Sequence, residues 1–335
     1  MSKVGIIANP AAGKDIRRLV AYASLTGNRE KIDLVRRIIL GIDSTGVDEI
    51  LLMPDYSGLC PQALSGLGGE KLRAHCRILD MRATGTQTDS SAAMALMAEM
   101  GAGCVVTIGG DGTSRAVAKG NRDVPVVAVS TGTNNVFPMM VEATVAGIAA
   151  GVMARGIVDE KKVVTTHKRV IISENGVEQD MALIDAVVLD QPFIGARAVW
   201  TISEIKEMLC TRAQPDTIGL SSIGGSICTV LPEDDCGLYL KLGEGKLKVR
   251  AAVLPGVIRE VPVAEYRRVK LGEEIPVSQR PSLLALDGER EFKVSAEDNV
   301  TMRVERDGPR VVDVTKAVRE AAAKGFFIDT QKSKH

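Results

Sequence analysis

Cys104-Val105-Val106-Thr107-Ile108 runs directly into Gly109-Gly110-Asp111-Gly112-Thr113. The first five residues have the apolar, β-branched make-up of a strand buried on both faces. The next five place one carboxylate in a turn almost free of side chains. Glycine admits positive φ and lets a ligand approach the main chain closely. Successive peptide N–H groups in such a turn form an anion-binding concavity, and a helix expected to begin near Ser114 adds the positive end of its dipole. The pentapeptide therefore reads as a phosphate loop made by Gly109, Gly110, Gly112 and Thr113, with Asp111 facing the group to be phosphorylated. Read as plain structure, it is a tight strand-to-helix turn whose Asp caps the helix. A Walker loop would need Gly-Lys followed by Ser or Thr, and Gly13-Lys14 is followed by Asp15. A dinucleotide fingerprint would need a third glycine where Arg115 stands.

The flanking sequence alternates strand and helix. Residues 4–8, 49–53 and 124–129 are short strand-like apolar runs. Residues 29–40 have helical spacing, with Ile32, Val35, Ile38 and Ile39 on one side, and residues 89–100 form a second helical pattern closed by Gly101. Such alternation predicts a parallel sheet covered by helices over residues 1–140. Ligands of such sheets gather at the loops after the strand ends. Ser130-Thr131-Gly132-Thr133-Asn134-Asn135 follows the strand at 124–129 as the glycine loop follows the strand at 104–108, so both fall on one sheet edge. Thr131, Gly132 and Thr133 offer hydroxyl and backbone donors to phosphate. Asn134 and Asn135 either read a base or ribose, or close Asx turns. Arg115 and Lys119, one turn apart on the following helix, either offset phosphate charge or form a solvated face.

From about residue 163 the pattern changes. Residues 163–166, 169–173, 181–189, 227–230, 237–242 and 246–253 read as strands, some separated by turn signals at Glu174-Asn175-Gly176 and Gly243-Glu244-Gly245. A helix-like insertion covers residues 198–209, and a bridging helix lies within 141–160. Residues 141–295 are thus expected to form an all-β sandwich, and residues 296–335, with a helix over 314–324, a C-terminal segment.

Composition excludes several function classes. Forty-two basic residues balance 42 acidic ones, so no strong field favours nucleic acid or an anionic membrane. Aromatics make up 3%, too few for a base-stacking platform. No run approaches the length of a transmembrane helix, and no charged leader with a long apolar stretch precedes the first strand. Six cysteines without C-x-x-C spacing read as reduced thiols of a cytoplasmic protein. His75 beside Cys76 has no second pair at zinc-ligand spacing. Neither His75 nor His167 accompanies a nucleophile-elbow motif, which speaks against a Ser-His-Asp hydrolase.

The motifs together resemble one superfamily, that of the NAD kinases, diacylglycerol kinases and sphingosine kinases. Gly-Gly-Asp-Gly-Thr is its signature. Residues 130–137 are similar to the G-T-x-N-D-F loop of the lipid kinases, with Val136 where their Asp stands. The strand at 4–8 followed by Asn9-Pro10-Ala11-Ala12-Gly13 resembles the N-P-x-x-G opening of the group, which brings Asn9 into the nucleotide site. Leu286-Asp287-Gly288-Glu289 resembles the D-G-E or D-G-Q turn that closes its second domain. The nearest likeness is to members encoded with acetoin-degradation genes in bacteria.

The resemblance implies a Rossmann-like α/β domain followed by a β-sandwich used for substrate and oligomerisation, with residues 296–335 packing back on the first domain. It implies ATP with Mg²⁺ as donor system, small-molecule nucleotide substrates and a homo-oligomer. Asp111 would take the proton of the adenosine 2′-hydroxyl of NAD, or hold Mg²⁺ together with the phosphates. Residues 182–188 resemble a NAD kinase strand carrying an Asn-acid pair, with Asp185 as the acid and Ile184 in place of the Asn. Residues 219–226 stand where NAD kinases carry T-P-T-G-S-T, which makes Ser221, Ser222, Gly224 and Gly225 substrate-site candidates. Asp287 and Glu289 are either hairpin-turn residues or, as in lipid kinases, acids near the active site. The expected activity is phosphotransfer from ATP to a hydroxyl, NAD being the favoured acceptor. The alternatives are a lipid or small-polyol kinase and a nucleotide-binding regulator without catalysis.

Overall fold

The computed structural model of the protein describes residues 1–12, 22, 26–191 and 202–328. The N-terminal region runs β1 (Lys3–Ala8), α1 (Asn28–Ser44), β2 (Glu49–Leu52), α2 (Leu59–Ser65), β3 (His75–Ile78), α3 (Thr88–Glu99), β4 (Cys104–Gly109), α4 (Asp111–Gly120), β5 (Val126–Ser130) and α5 (Ala143–Ala154). The chain continues with α6 (Glu160–Val163), β6 (Val164–Thr166), β7 (Arg169–Glu174), β8 (Val177–Ala182), β9 (Asp185–Leu189), β10 (Ile205–Cys210) and α7 (Ser221–Gly225). It ends with β11 (Cys236–Leu254), β12 (Val257–Lys270), β13 (Ile275–Pro276), β14 (Ser282–Leu286), β15 (Glu289–Val294), β16 (Val300–Glu305), β17 (Arg310–Val312) and α8 (Val314–Ala323).

The first sheet has the order β3-β2-β1-β4-β5-β17-β6. The five N-terminal strands and β17 are parallel, and β6 is antiparallel. Its strands are apolar on both sides because both sides are covered. Val4, Ile6 and Val106 pack with α1, α2, α5 and α8, while Ile7, Leu51 and Val105 pack with α3 and α4. The crossing of α1 and α5 depends on glycine. A Cβ at Gly41 would lie 2.2 Å from the Thr144 carbonyl oxygen, and one at Gly147 would lie 2.4 Å from that of Ile38. Side chains there would force the two backbones apart.

The second region is a sandwich of two antiparallel sheets, β12-β11-β10-β9-β14-β15 and β13-β16-β7-β8. Val170, Ile172, Val188, Leu209, Leu284 and Met302 meet between them as one core. The α/β-plus-β-sandwich fold read from the sequence is therefore the observed one. Strands β6 and β17 leave the sandwich and extend the first sheet, and α8 packs on the same face as α5. No helix among the described residues is long and apolar enough to cross a membrane.

Local readings change in four places. The proposed helix at 198–209 is β10 over Ile205–Cys210, paired with β9 and β11. Residues 198–201 lie outside the described part. Ile202, Ile205 and Leu209 fit helical spacing, and pairing on both sides overrides it. The single strand expected at 181–189 is two strands, β8 and β9, with a bend at Leu183-Ile184. Residues 227–230 form no strand, Val230 making one bridge to Ala213. The two strands expected at 237–253 are one 19-residue strand, β11, whose register shifts between Leu242 and Leu247.

Candidate active site

The order β3-β2-β1-β4-β5 reverses direction between β1 and β4, and the crevice beyond their carboxyl ends is where doubly wound sheets bind ligands. The two loops leaving that point are tied together. Asn9 Nδ2 donates to Thr113 Oγ1 at 2.9 Å, Asn9 N–H donates to the Ile108 carbonyl, and Asn9 Oδ1 accepts from Ala11 N–H at 2.9 Å. The Lys31 ammonium, buried in the first turn of α1, donates to the carbonyls of Asn9, Pro10 and Ala12 at 3.2, 2.8 and 2.5 Å. Lys31 was not marked from the sequence. Its spacing with Val35, Ile38 and Ile42 on the buried side of α1 is the signal that could have found it.

Helix α4 begins at Asp111, three residues earlier than expected, with Gly110 as its N-cap. Asp111 therefore lies in the first turn, where peptide N–H groups have no intrahelical partner. Gly109 and Gly110 are glycine for reasons of space. A Cβ on Gly109 would sit 2.4 Å from Thr113 Oγ1, and one on Gly110 would sit 2.7 Å from Asn135 Oδ1. The second loop closes over the first. Thr131 N–H donates to the Gly109 carbonyl at 3.2 Å, and Asn135 Nδ2 donates to Ser130 Oγ at 2.8 Å. The Asp111 carboxylate accepts from Val136 N–H at 3.0 Å and from Phe137 N–H at 2.8 Å. The Thr131 carbonyl accepts from the Thr26 hydroxyl. The Thr131 hydroxyl itself is buried with no hydrogen-bond partner among the described residues. Gly132 is buried in this loop, Asn134 is partly exposed and Thr133 is exposed.

The β-sandwich brings its own acids to the same place. Asp287 occupies the first central position of a β14–β15 hairpin turn, with φ of 51° there and 80° at Gly288. That is the Asp-Gly geometry of a type I′ turn. Its buried carboxylate accepts from the N–H groups of Leu183 (3.0 Å) and Ile184 (2.7 Å), which explains the bend between β8 and β9. Burial pushes the Asp287 carboxyl up to about 6 against the opposing pull of Arg115 and these N–H groups, with Asp111 adding to the rise. Arg115 is also buried. It pairs with Glu291 at 2.9 Å and lies 3.8 Å from Asp287, 3.9 Å from Asp180 and 4.0 Å from Glu289. These four carboxylates surround its charge. Lys119 pairs with Asp180 at 2.6 Å. Glu289 accepts from Gln87 Nε2 at 2.6 Å and lies beside Gly112, whose added Cβ would be 3.2 Å from Glu289 Oε1.

Asp111, Asn134, Val136, Asp185, Gly219, Ser221, Asp287 and Gly288 line one cavity of about 50 Å³, whose remaining wall is aliphatic: Ile184, Ile202, Ile205, Ile218, Leu220, Val253 and Leu254. It shares Ile202, Ile205, Val253 and Leu254 with a larger cleft of about 750 Å³ beside β11 and β12. The stretch at 221–225 has regular structure. It is the short helix α7, wholly buried. Ser221 faces the cavity, whereas Ser222 Oγ donates to the carbonyls of Gly219 and Ala252. Cβ atoms on Gly224 and Gly225 would meet Leu238 and the Gln214 backbone, so these glycines serve packing inside the β-domain.

Sequence reasoning missed Arg212 and passed over His167. Arg212 is buried and His167 half-buried, and Arg212 Nη2 lies 2.7 Å from His167 Nδ1. An arginine ending the apolar run Met208-Leu209-Cys210 was the available signal.

Comparison with known proteins agrees with this layout. Residues 4–157 match the ATP-NAD kinase N-terminal domain, and residues 168–307 match the acetoin catabolism protein X C-terminal domain. Acetoin catabolism protein X of Cupriavidus necator is 36% identical over 329 residues, covering 95% of this chain and 92% of its own length. A diacylglycerol kinase of known crystal structure from Bacillus anthracis str. Sterne is 13% identical, over 93% of this chain and 96% of its own, with a TM-score of 0.44. The chain belongs to the acetoin catabolism protein X family.

Proposed function

We propose that the chain is an ATP- and Mg²⁺-dependent phosphotransferase whose acceptor is an alcohol, the adenosine 2′-hydroxyl of NAD, and that it works in acetoin catabolism as the name of its relative indicates. The observation that carries this reading is the position of Asp111. It sits at the mouth of the switch-point crevice on a glycine-built helix start, and it lines the cavity that the β-domain closes.

The residues present fit the implied donor. The α4 amides and the Thr113 hydroxyl form an anion-binding face, and the partnerless buried Thr131 hydroxyl adds a donor awaiting an acceptor. No cluster of three metal-ligating side chains exists among the described residues. Mg²⁺ is commonly held through one or two carboxylates together with phosphates and water, and Asp111 would be the carboxylate here. Bound Mg²⁺ would neutralise charge building on the transferred phosphoryl group. In this scheme Asp111 orients the acceptor hydroxyl and receives its proton as the new O–P bond forms and the leaving phosphate departs. Asp185 and Ser221 hold the acceptor from the opposite wall.

A second reading has its own support. The aliphatic wall of the cavity, with Ile184 at the position expected to carry an amide, favours an acceptor with an apolar body over a dinucleotide. Incubation with ATP, Mg²⁺ and a panel of acceptors, read by mass spectrometry, decides. Phosphorylated NAD supports the first reading and phosphorylated apolar alcohol the second. Absence of any phosphorylated product, together with no thermal shift by millimolar ATP or NAD, removes both.

A further inference from the structure

Strand β2 leaves the sheet at the same edge as the glycine loop, and the turn after it exposes an aromatic ring. β1 pairs with β2 with Ile6 opposite Leu52, and with β4 with Ala8 opposite Ile108. Pro54 is therefore level with Ala8, and Tyr56 stands past the carboxyl edge of the sheet, as Gly110 and Asp111 do. Only β1 lies between β2 and β4, so the two exits are about 10 Å apart. Tyr56 is 73% exposed. Its backbone is nonetheless fixed. The Asp55 carboxylate accepts from the N–H groups of Ser57 at 2.8 Å and Leu59 at 2.9 Å. Gly58 N–H donates to the Asp55 carbonyl at 3.1 Å, and Gln62 Nε2 donates to the Ser57 carbonyl at 2.7 Å.

The ring rests against Gly85, whose φ is 77° and whose added Cβ would lie 3.1 Å from Tyr56 Cδ2 and 3.2 Å from Cε2. Gly85 is held in turn, because the Asp89 carboxylate accepts from Thr84 N–H at 2.9 Å, from the Thr84 hydroxyl at 2.7 Å and from Gly85 N–H at 2.8 Å. From there the chain runs toward the glycine loop. Gln87 Nε2 lies 3.7 Å from the position of a Cβ on Gly112, and it donates to Glu289 at 2.6 Å. Gly85 and Gln87 are two residues apart, a span of at most about 7 Å. The Tyr56 ring and the first turn of α4 are thus as far apart as the base and the phosphates of one nucleotide. A single exposed ring needs no explanation on most surfaces. This one is mounted on a hydrogen-bonded turn, at the edge where doubly wound sheets bind ligands. Its π-face can stack any base, and with only two side-chain torsions to fix it does so at small entropic cost.

We propose that Tyr56 stacks the base of the nucleotide donor while the phosphates rest on the first turn of α4. This rests on the phosphotransferase reading, which supplies the nucleotide. Stacking reads the area of a base rather than its hydrogen-bond pattern, so the site prefers purine over pyrimidine nucleotides and separates ATP from GTP poorly. The test is calorimetric titration of wild type, Tyr56→Ala and Tyr56→Phe with ATP, CTP and inorganic triphosphate, each with Mg²⁺. Wild type binds ATP more tightly than CTP and CTP more tightly than triphosphate. Tyr56→Ala weakens ATP by about fivefold or more and leaves triphosphate within twofold, and Tyr56→Phe keeps the wild-type affinity for ATP within twofold. As a second readout, Tyr56→Trp gains an emission, measured against wild type with its single native tryptophan, that ATP quenches and triphosphate does not.

Equal losses of ATP and triphosphate in Tyr56→Ala would make the ring a prop for the turn and overturn the proposal. Unchanged ATP affinity in that variant, or a tryptophan at 56 blind to ATP, overturns it as well while leaving the phosphotransferase reading in place. A wild-type chain that binds neither ATP nor triphosphate removes both.

Discussion

Replacing His167 with Gln separates an electrostatic feature of the site from simple packing. Burial, then the charges of Arg212, Arg306 and Lys168, push the His167 imidazole down to about 3 from an ordinary value near 6.5. The folded protein therefore leaves it neutral where the unfolded chain binds a proton. Its contribution to stability is fully present above the unfolded value and is lost as pH falls toward the folded one. Each pH unit inside that window is worth about 1.4 kcal/mol, so the two units from pH 6.5 to 4.5 remove about 3 kcal/mol. Gln keeps an acceptor for Arg212 Nη2 and does not titrate. Urea unfolding of both chains at pH 7.5, 6.5, 5.5 and 4.5 should show a constant difference above pH 6.5. Below it, the wild type should lose about 3 kcal/mol relative to the variant by pH 4.5. Asp287, pushed up to about 6, acts with the opposite sign. Its contribution is present below its ordinary value and is lost as pH rises to about 6. Both chains carry it, so it cancels in the difference. Parallel stability curves for the two chains would refute the reasoning that His167 is held neutral by its neighbours.

Two further outcomes follow from the site's geometry. Gly110→Ala places a Cβ 2.7 Å from Asn135 Oδ1, so Asn135 must leave Ser130. A stability loss of about 1–3 kcal/mol with weaker ATP binding is expected, and an unchanged Tm would contradict the close loop contact. Asp185→Ala should weaken NAD binding several-fold in calorimetry, while Glu289→Gln, whose carboxylate already accepts from Gln87, should change it less. The reverse ranking would favour an acceptor placed by Glu289.

How much of this was legible in the sequence depends on the range over which each feature is decided. Strands β1, β4 and β5 are continuous apolar runs with glycine-rich loops after them, so local composition is enough to place them in a covered parallel sheet. Strand β12 was invisible because Arg259, Glu260, Glu265, Arg267 and Arg268 face solvent along one sheet edge and mask its two-residue period. β10 was mistaken for helix because short apolar runs fit both periods and only the neighbouring strands decide. In the site, Asp111 and the threonines announce themselves through their motif. The uses of Asp287 and Arg115 could not be seen, because Asp287 meets the bend at residues 183–184 and Arg115 meets Glu291 only through the tertiary fold. The serine-glycine stretch shows the same limit: its small residues mark close packing against Leu238 and Gln214 as readily as room for a ligand.

The central claim is that Asp111 handles the proton of a hydroxyl being phosphorylated. Its most direct test is single-turnover phosphoryl transfer from γ-labelled ATP with Mg²⁺ to the acceptor found in the product screen, comparing wild type with Asp111→Asn. Asn preserves size and can still accept from the N–H groups of Val136 and Phe137. The account predicts a rate lower by about 10²-fold or more with nucleotide affinity nearly unchanged. A variant that transfers phosphate at the wild-type rate would contradict it and leave Asp111 as the residue that pins two loops together.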